Sequence, residues 1–165
     1  MLVKLTPDQV NKYWELISFS IRESLPPIAM GAEDRMSRIL VSAMTGGLDV
    51  WMSMVKKTMQ VDGVATTCVT RDDNSEIRNL LIYSVYGMGE GFVKNSWMSA
   101  LKTFKDYARG LGCSRIIAYT DEDSIKKFAE ILGGETRYTF ISFPVDEITV
   151  EDYMPQTPEA ADESL

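Results

Sequence analysis

The 165-residue chain contains no histidine. That absence removes every Ser-His and Cys-His nucleophile scheme, together with the commonest metal-binding side chain, so no metal site is expected. Cysteine is scarce as well. Cys68 and Cys113 are the only two, far apart and in no C-x-x-C pair, so neither a zinc ribbon nor a disulfide framework is expected. The default is two buried free thiols in a reducing, cytoplasmic compartment. No apolar run approaches the length of a membrane-spanning helix, and the opening MLVKLTPDQV lacks the apolar stretch of a signal peptide, so no membrane partner is expected. An excess of base is missing too: 17 Lys and Arg stand against 24 Asp and Glu. Without a basic stripe, nucleic acid is excluded as the expected partner.

What charge there is lies unevenly. Asp146, Glu147, Glu151, Asp152, Glu159, Asp162 and Glu163 give the stretch from Val145 to Leu165 seven acids and no base, so the net charge of −7 belongs to that stretch and the first 144 residues balance. The division expected is one domain over 1–144, large enough for a sizeable core at 45% apolar composition, and an acidic tail over 145–165. Pro155, Pro158 and the lack of apolar periodicity make the tail an extended or disordered segment. Tyr153 and Met154 are its only bulky apolar pair, the anchors it would use on a protein partner or a second copy of the chain.

Local signals order the elements. Thr6-Pro7-Asp8-Gln9 is a helix start, with a threonine cap, proline in the first turn and glutamine at the capping-box position. Val10, Tyr13, Trp14, Ile17 and Ile21 continue it at helical spacing until Pro26-Pro27. A second helix is expected from Glu33 to Met44, closed by Gly46-Gly47. Three runs rich in Val, Ile, Thr and aromatics follow, over residues 48–57, 60–71 and 77–86. Their short polar separators make an antiparallel meander. After the Gly87-Met88-Gly89-Glu90-Gly91 segment comes a helical run, then a strand over 115–119, a helix over 123–132 stopped by Gly133-Gly134, and a last strand from Arg137 to Phe143. A strand-helix-strand unit added to a meander makes an α+β fold with a mixed sheet flanked by helices. The ten methionines, Met30, Met36, Met44, Met52, Met54 and Met59 among them, read as gap-fillers.

This order, and the stretch Ala100-Leu101-Lys102-Thr103-Phe104-Lys105-Asp106-Tyr107-Ala108-Arg109 running into Gly112-Cys113-Ser114-Arg115-Ile116, resembles the GNAT superfamily of N-acetyltransferases. The resemblance covers nearly all of residues 1–144. It implies acetyl-CoA as cofactor, an amine on a small molecule or protein as acceptor, and a glycine-containing turn at a helix N-terminus that takes the pyrophosphate on backbone N–H groups. Gly87, Gly89, Gly91, Lys94, Asn95 and Ser96 are the cofactor-binding residues so implied. Two arrangements are open: a turn leaving the third meander strand, or a displaced phosphate cradle ahead of a shorter helix capped by Asn95 or Ser96. Matched backward from Asp106-Tyr107-Ala108-Arg109, the family's two turn glycines fall on Asn95 and Trp97, and its Gln or Arg falls on Phe92. The tyrosine that protonates the departing thiolate in the family is Ala129 here, and its asparagine is Asp121 or Glu122. For proton transfer, Glu76 and Glu90 border the meander, while Tyr83, Tyr119 and Tyr138 stand on expected strands; Glu76, Tyr119 and Tyr138 are the catalytic candidates. Lys94, Lys102, Lys126 and Lys127 are available to phosphates. Thr6-Pro7-Asp8-Gln9-Val10 with Trp14, Gly47-Leu48-Asp49-Val50-Trp51 and Val69-Thr70 are in turn similar to GNAT-like proteins of tailed phages. That second resemblance offers a non-catalytic alternative: a virion or internal-head component that acts through protein contacts.

Overall fold

The structure, a computed structural model, describes residues 1–25, 34–88, 92–139 and 141, and between 92 and 97 the backbone alone. It divides into two compact units, Met1–Ile125 and Lys126 onward, each described by itself.

The first unit is a five-stranded sheet in the order β1-β2-β3-β4-β5: β1 (Leu2–Lys4), β2 (Asp49–Met54), β3 (Val61–Arg71), β4 (Arg78–Gly87) and β5 (Arg115–Ala118). The first four pair antiparallel and β5 joins β4 in parallel. A parallel neighbour needs a crossover, which α4 (Phe92–Gly110) supplies. On one face lie α1 (Pro7–Lys12), α2 (Trp14–Ser24) and α3 (Arg35–Thr45). Their Val10, Ile17, Ile21, Ile39 and Ala43 pack with Leu25 onto Val50, Met52 and Val64. The other face takes α4, whose Ala100, Phe104 and Ala108 recur every four residues against Trp51, Ala65, Leu80 and Ile82. Strand alternation therefore feeds two cores: odd positions of β2, and Leu80, Ile82 and Val85 of β4, turn to α4, and the others to α1–α3.

The three meander strands and α3 lie where composition puts them, and Gly46 closes α3 in the left-handed region at φ +83°. Differences sit at short or covered elements. Strand β1 was not expected: three residues carry too little pattern, and it exists through its pairing of Leu2 with Ser53 and Lys4 with Trp51. The expected single first helix is two. Thr6 and Gln9 form the capping box, but Tyr13 (φ −105°, ψ 17°) breaks the run before Trp14. Leu25 is extended (ψ 134°), as a residue before proline must be. Both cysteines are free but half-buried rather than buried.

In the second unit α5 (Asp123–Ile131), which begins just before the boundary, ends at Gly133 (φ +79°), with Gly134 N–H on the Ala129 carbonyl at 2.8 Å. Of the strand expected from Arg137, the described residues 137–139 and 141 are not in a strand, and Tyr138 and Ile141 are exposed. The remaining residues to Phe143, and the tail from Val145, lie outside the described residues.

Candidate functional site

The feature that sets β4 apart is where it loses its partner. Pairing with β5 runs from Asn79 opposite Arg115 to Ile82 opposite Ala118 and stops, while β4 continues to Gly87. At the same place β4 bulges: Thr66 pairs with Ser84 and Thr67 with Ile82, so Tyr83 is the extra residue. A bulge bends a strand and sharpens its twist, which is a physical means of parting two strands. Because β5 ends at Ala118, the β5 side of Tyr83–Gly87 has no strand partner among the described residues, which leaves a gap in pairing along that edge.

Tyr83 stands at the mouth of this gap. Because of the bulge both Tyr83 and Ser84 face α1–α3, where Tyr83 packs against the Val64–Met52 core. Burial pushes its phenol pKa up; the Arg35 charge works against that shift and Cys68 adds to it. Tyr119 follows the last residue of β5 and is half exposed. Ser84 and Thr66 share a buried hydrogen bond of 2.6 Å, so their hydroxyls satisfy each other. Burial, with the Asp49 charge, also pushes the Cys68 thiol up, away from the thiolate that a nucleophile needs.

Five residues past Gly87, α4 is under way from Phe92. Asn95, Ser96 and Trp97 therefore lie within the helix rather than ahead of it, which corrects the shorter-helix expectation. Of the Gly87–Gly91 segment that precedes the helix, Gly89, Glu90 and Gly91 lie outside the described residues. Lys94 shares the first turn with Asn95, where helix N–H groups have no partner within the helix.

Glu76 is not brought to this mouth. It occupies the β3–β4 turn at the other end of β4, with φ 58°, paired to Arg71 at 3.3 Å and largely exposed. Ten strand residues, roughly 33 Å, separate the two ends of β4. Tyr138, Lys126 and Lys127 belong to the second unit, and Tyr138 stands exposed. Lys102 is exposed on α4. Ala129 is within α5, and Asp121 and Glu122 precede it.

Sequence reasoning missed a second cluster, on the α4 face. Lys4 Nζ donates to Asp49 Oδ1 (2.6 Å) and to Tyr107 Oη (2.7 Å), and Tyr107 Oη donates to Asp49 Oδ2 (2.7 Å). Tyr107 meets Trp51 edge-on at 4.9 Å, and Trp51 Nε1 donates to Thr67 Oγ1 at 2.9 Å. Burial draws the Lys4 ammonium down, but the two hydrogen bonds outweigh it and leave its pKa raised. No local motif links residues 4, 49 and 107; β1–β2 pairing and the packing of α4 on the sheet bring them together.

No family model matches the chain, and no curated protein matches its sequence. Solved structures do match its fold. A probable acetyltransferase superposes with a TM-score of 0.66 at 14% identity, over 88% of this chain and 97% of its own. Glucosamine-6-phosphate N-acetyltransferase from Arabidopsis thaliana gives 0.62 at 12%, over 88% and 98%. An aminoglycoside N-acetyltransferase in complex with CoA gives 0.60 at 12%, over 87% and 98%. The mixed sheet with helices on both faces is the GNAT fold that the sequence resemblance implies.

Proposed function

We propose that this chain, which has the fold of the GNAT-type acetyltransferases, is an N-acetyltransferase that uses acetyl-CoA to acetylate a primary amine. The observation that carries the reading is the end of β4–β5 pairing at Ile82, beside the bulge at Tyr83, with α4 running from Phe92, five residues after the end of β4. A strand edge of this kind suits an extended amide-containing arm, which adds to it as a further strand would. The N–H groups at the start of α4, behind Gly87, Gly89 and Gly91, suit the phosphates, with Lys94 adding charge. Asn95 and Ser96 take part through their backbone.

Acetyl-CoA supplies the acyl group, activated as a thioester. The chain supplies position and proton handling. An amine held beside the gap in its neutral form attacks without further activation, so orientation is the larger part of the work. Tyr83, its pKa raised by burial, keeps its proton through the neutral range and is able only to donate. Tyr119, just past the last residue of β5 and half exposed, is the second phenol within this reading. Glu76 is too far along β4 to share it.

Calorimetry with CoA is the deciding test. A ligand at a hundred times its Kd stabilises the native state by about 2.7 kcal/mol, which for a domain of this size raises Tm by roughly 5–10 °C. Absence of both binding heat and a melting shift at millimolar CoA would remove the enzyme reading. The non-catalytic alternative, a GNAT-fold protein that works through protein contacts as in a virion, would take its place.

A further inference from the structure

On the α1–α3 face, directly beside the gap, three aromatic side chains gather. Phe19 of α2 meets Tyr86 of β4 edge-on, with ring centroids 5.6 Å apart at 85°. Tyr83, three residues back along the bulged strand, turns to the same face. Phe19 is 49% exposed although it touches Tyr86, so this ring pair is not sealed into the core. The hydroxyls beside it, Ser84 and Thr66, are buried and bonded to each other, so only one O–H is left between them. Along α2, Glu15 and Glu23 stand one turn either side of Phe19, both exposed, with Arg22 between Phe19 and Glu23.

We infer that the acceptor is a primary amine carried on an aromatic body, which lies against Phe19 and Tyr86 with its amino group toward Tyr83 and the β4–β5 gap. This inference rests on the acetyltransferase reading and names its substrate class. Aromatic rings receive another ring in edge or offset contact, and they attract an ammonium held near their faces. The two glutamates favour the approach of a cation over that of an anion, with Arg22, and Arg35 near Tyr83, as opposing charges. A phosphorylated sugar would call for a guanidinium fork or a lysine pair; past its pairing with β5, strand β4 turns only Tyr83, Ser84 and Tyr86 to this face, and Arg35, whose charge reaches Tyr83, is a single guanidinium. An aminoglycoside brings many hydroxyls that would lose water against rings and receive nothing in return. The transfer itself balances simply: the amine nitrogen forms the new bond to the acyl carbon, the C–S bond breaks, the sulfur gains a proton and the nitrogen loses one.

The test uses the full chain with acetyl-CoA and three acceptors: phenethylamine, kanamycin and glucosamine 6-phosphate. Phenethylamine should be acetylated with kcat/KM at least tenfold above either of the others. Phe19→Ala and Tyr86→Ala should each lower that value tenfold or more, mainly through KM. Phe19 is half exposed, so its removal leaves the fold in place, and CoA binding by calorimetry should be unchanged in both variants. Direct titration of phenethylamine into the CoA-loaded protein gives a readout independent of turnover: binding in the wild type, weakened tenfold in Phe19→Ala, supports the inference. Preference for kanamycin or glucosamine 6-phosphate, indifference to Phe19→Ala, or no binding of phenethylamine to the CoA-loaded chain overturns it and leaves the acetyltransferase reading standing. Failure of the wild type to bind CoA overturns both.

Discussion

Lys4, Asp49 and Tyr107 come from three elements and close a ring of hydrogen bonds, and its chemistry can be read by pH. Both Lys4 and Tyr107 have raised pKa values: burial opposes the Lys4 rise and drives the Tyr107 one, with Asp49 supporting both. A group whose pKa is higher folded than unfolded holds its proton more tightly in the native state. Its contribution is complete below its ordinary value, about 10 for both groups, and is lost as pH climbs through the folded one. We expect the urea midpoint of the wild type to fall above about pH 10, and a Lys4→Met, Tyr107→Phe double variant to show a shallower fall over the same range. An equal slope in both would mean that the ring contributes nothing to alkaline stability. Phe104 is a different kind of residue. At 1% exposure, edge-on to Trp51 at 5.3 Å, it fills the α4 core, and Phe104→Ala should cost about 3–5 kcal/mol, measured by denaturant melting.

Elements were legible in proportion to how much of their pattern is their own. The meander declared itself because Val61–Arg71 and Arg78–Gly87 are long, β-rich and separated by a short polar turn in which Asp72 accepts from Asn74 N–H and Ser75 Oγ. Helix α3 was found through its apolar stripe and Gly46. There Gly46→Ala should destabilise by about 1 kcal/mol, since a left-handed residue with open space around it meets only backbone strain; a thermal melt checks this. What stayed hidden depends on long-range pairing. The bulge at Tyr83 is invisible in a string of alternating apolar residues, because it is defined by which Thr of β3 faces which residue of β4. The gap it helps to open, and the meeting of Phe19 with Tyr86, were hidden for the same reason. Matching glycines backward from Asp106 put the phosphate turn at Asn95 and Trp97, positions that the helix itself occupies.

For the whole molecule, charge is the property that composition settles. Since 144 residues balance and the last 21 carry the entire net charge, a chain ending at Pro144 is electrically neutral overall. We expect such a truncation to keep the melting temperature of the full chain while its isoelectric point moves from about 4.7 to near neutrality. With self-repulsion gone, light scattering near pH 7 should report association that the full chain resists. A truncated chain that melts at much lower temperature would instead assign part of 145–165 to the folded core.

Strand β1 bears on this molecule's safety as well as its shape. Its partners lie some fifty residues away, so closing that loop is entropically dear and the strand is expected to join a meander already formed. Until it does, Asp49–Met54 is an outermost strand with Val50, Trp51, Met52 and Ser53 all destined for burial, an open template for any other extended chain. Amide exchange at Leu2–Lys4 should therefore be among the fastest in the sheet. Conditions that fray those three residues should start fibrillar aggregation before the rest of the sheet unfolds, with three residues acting as the gatekeeper for the remaining strands.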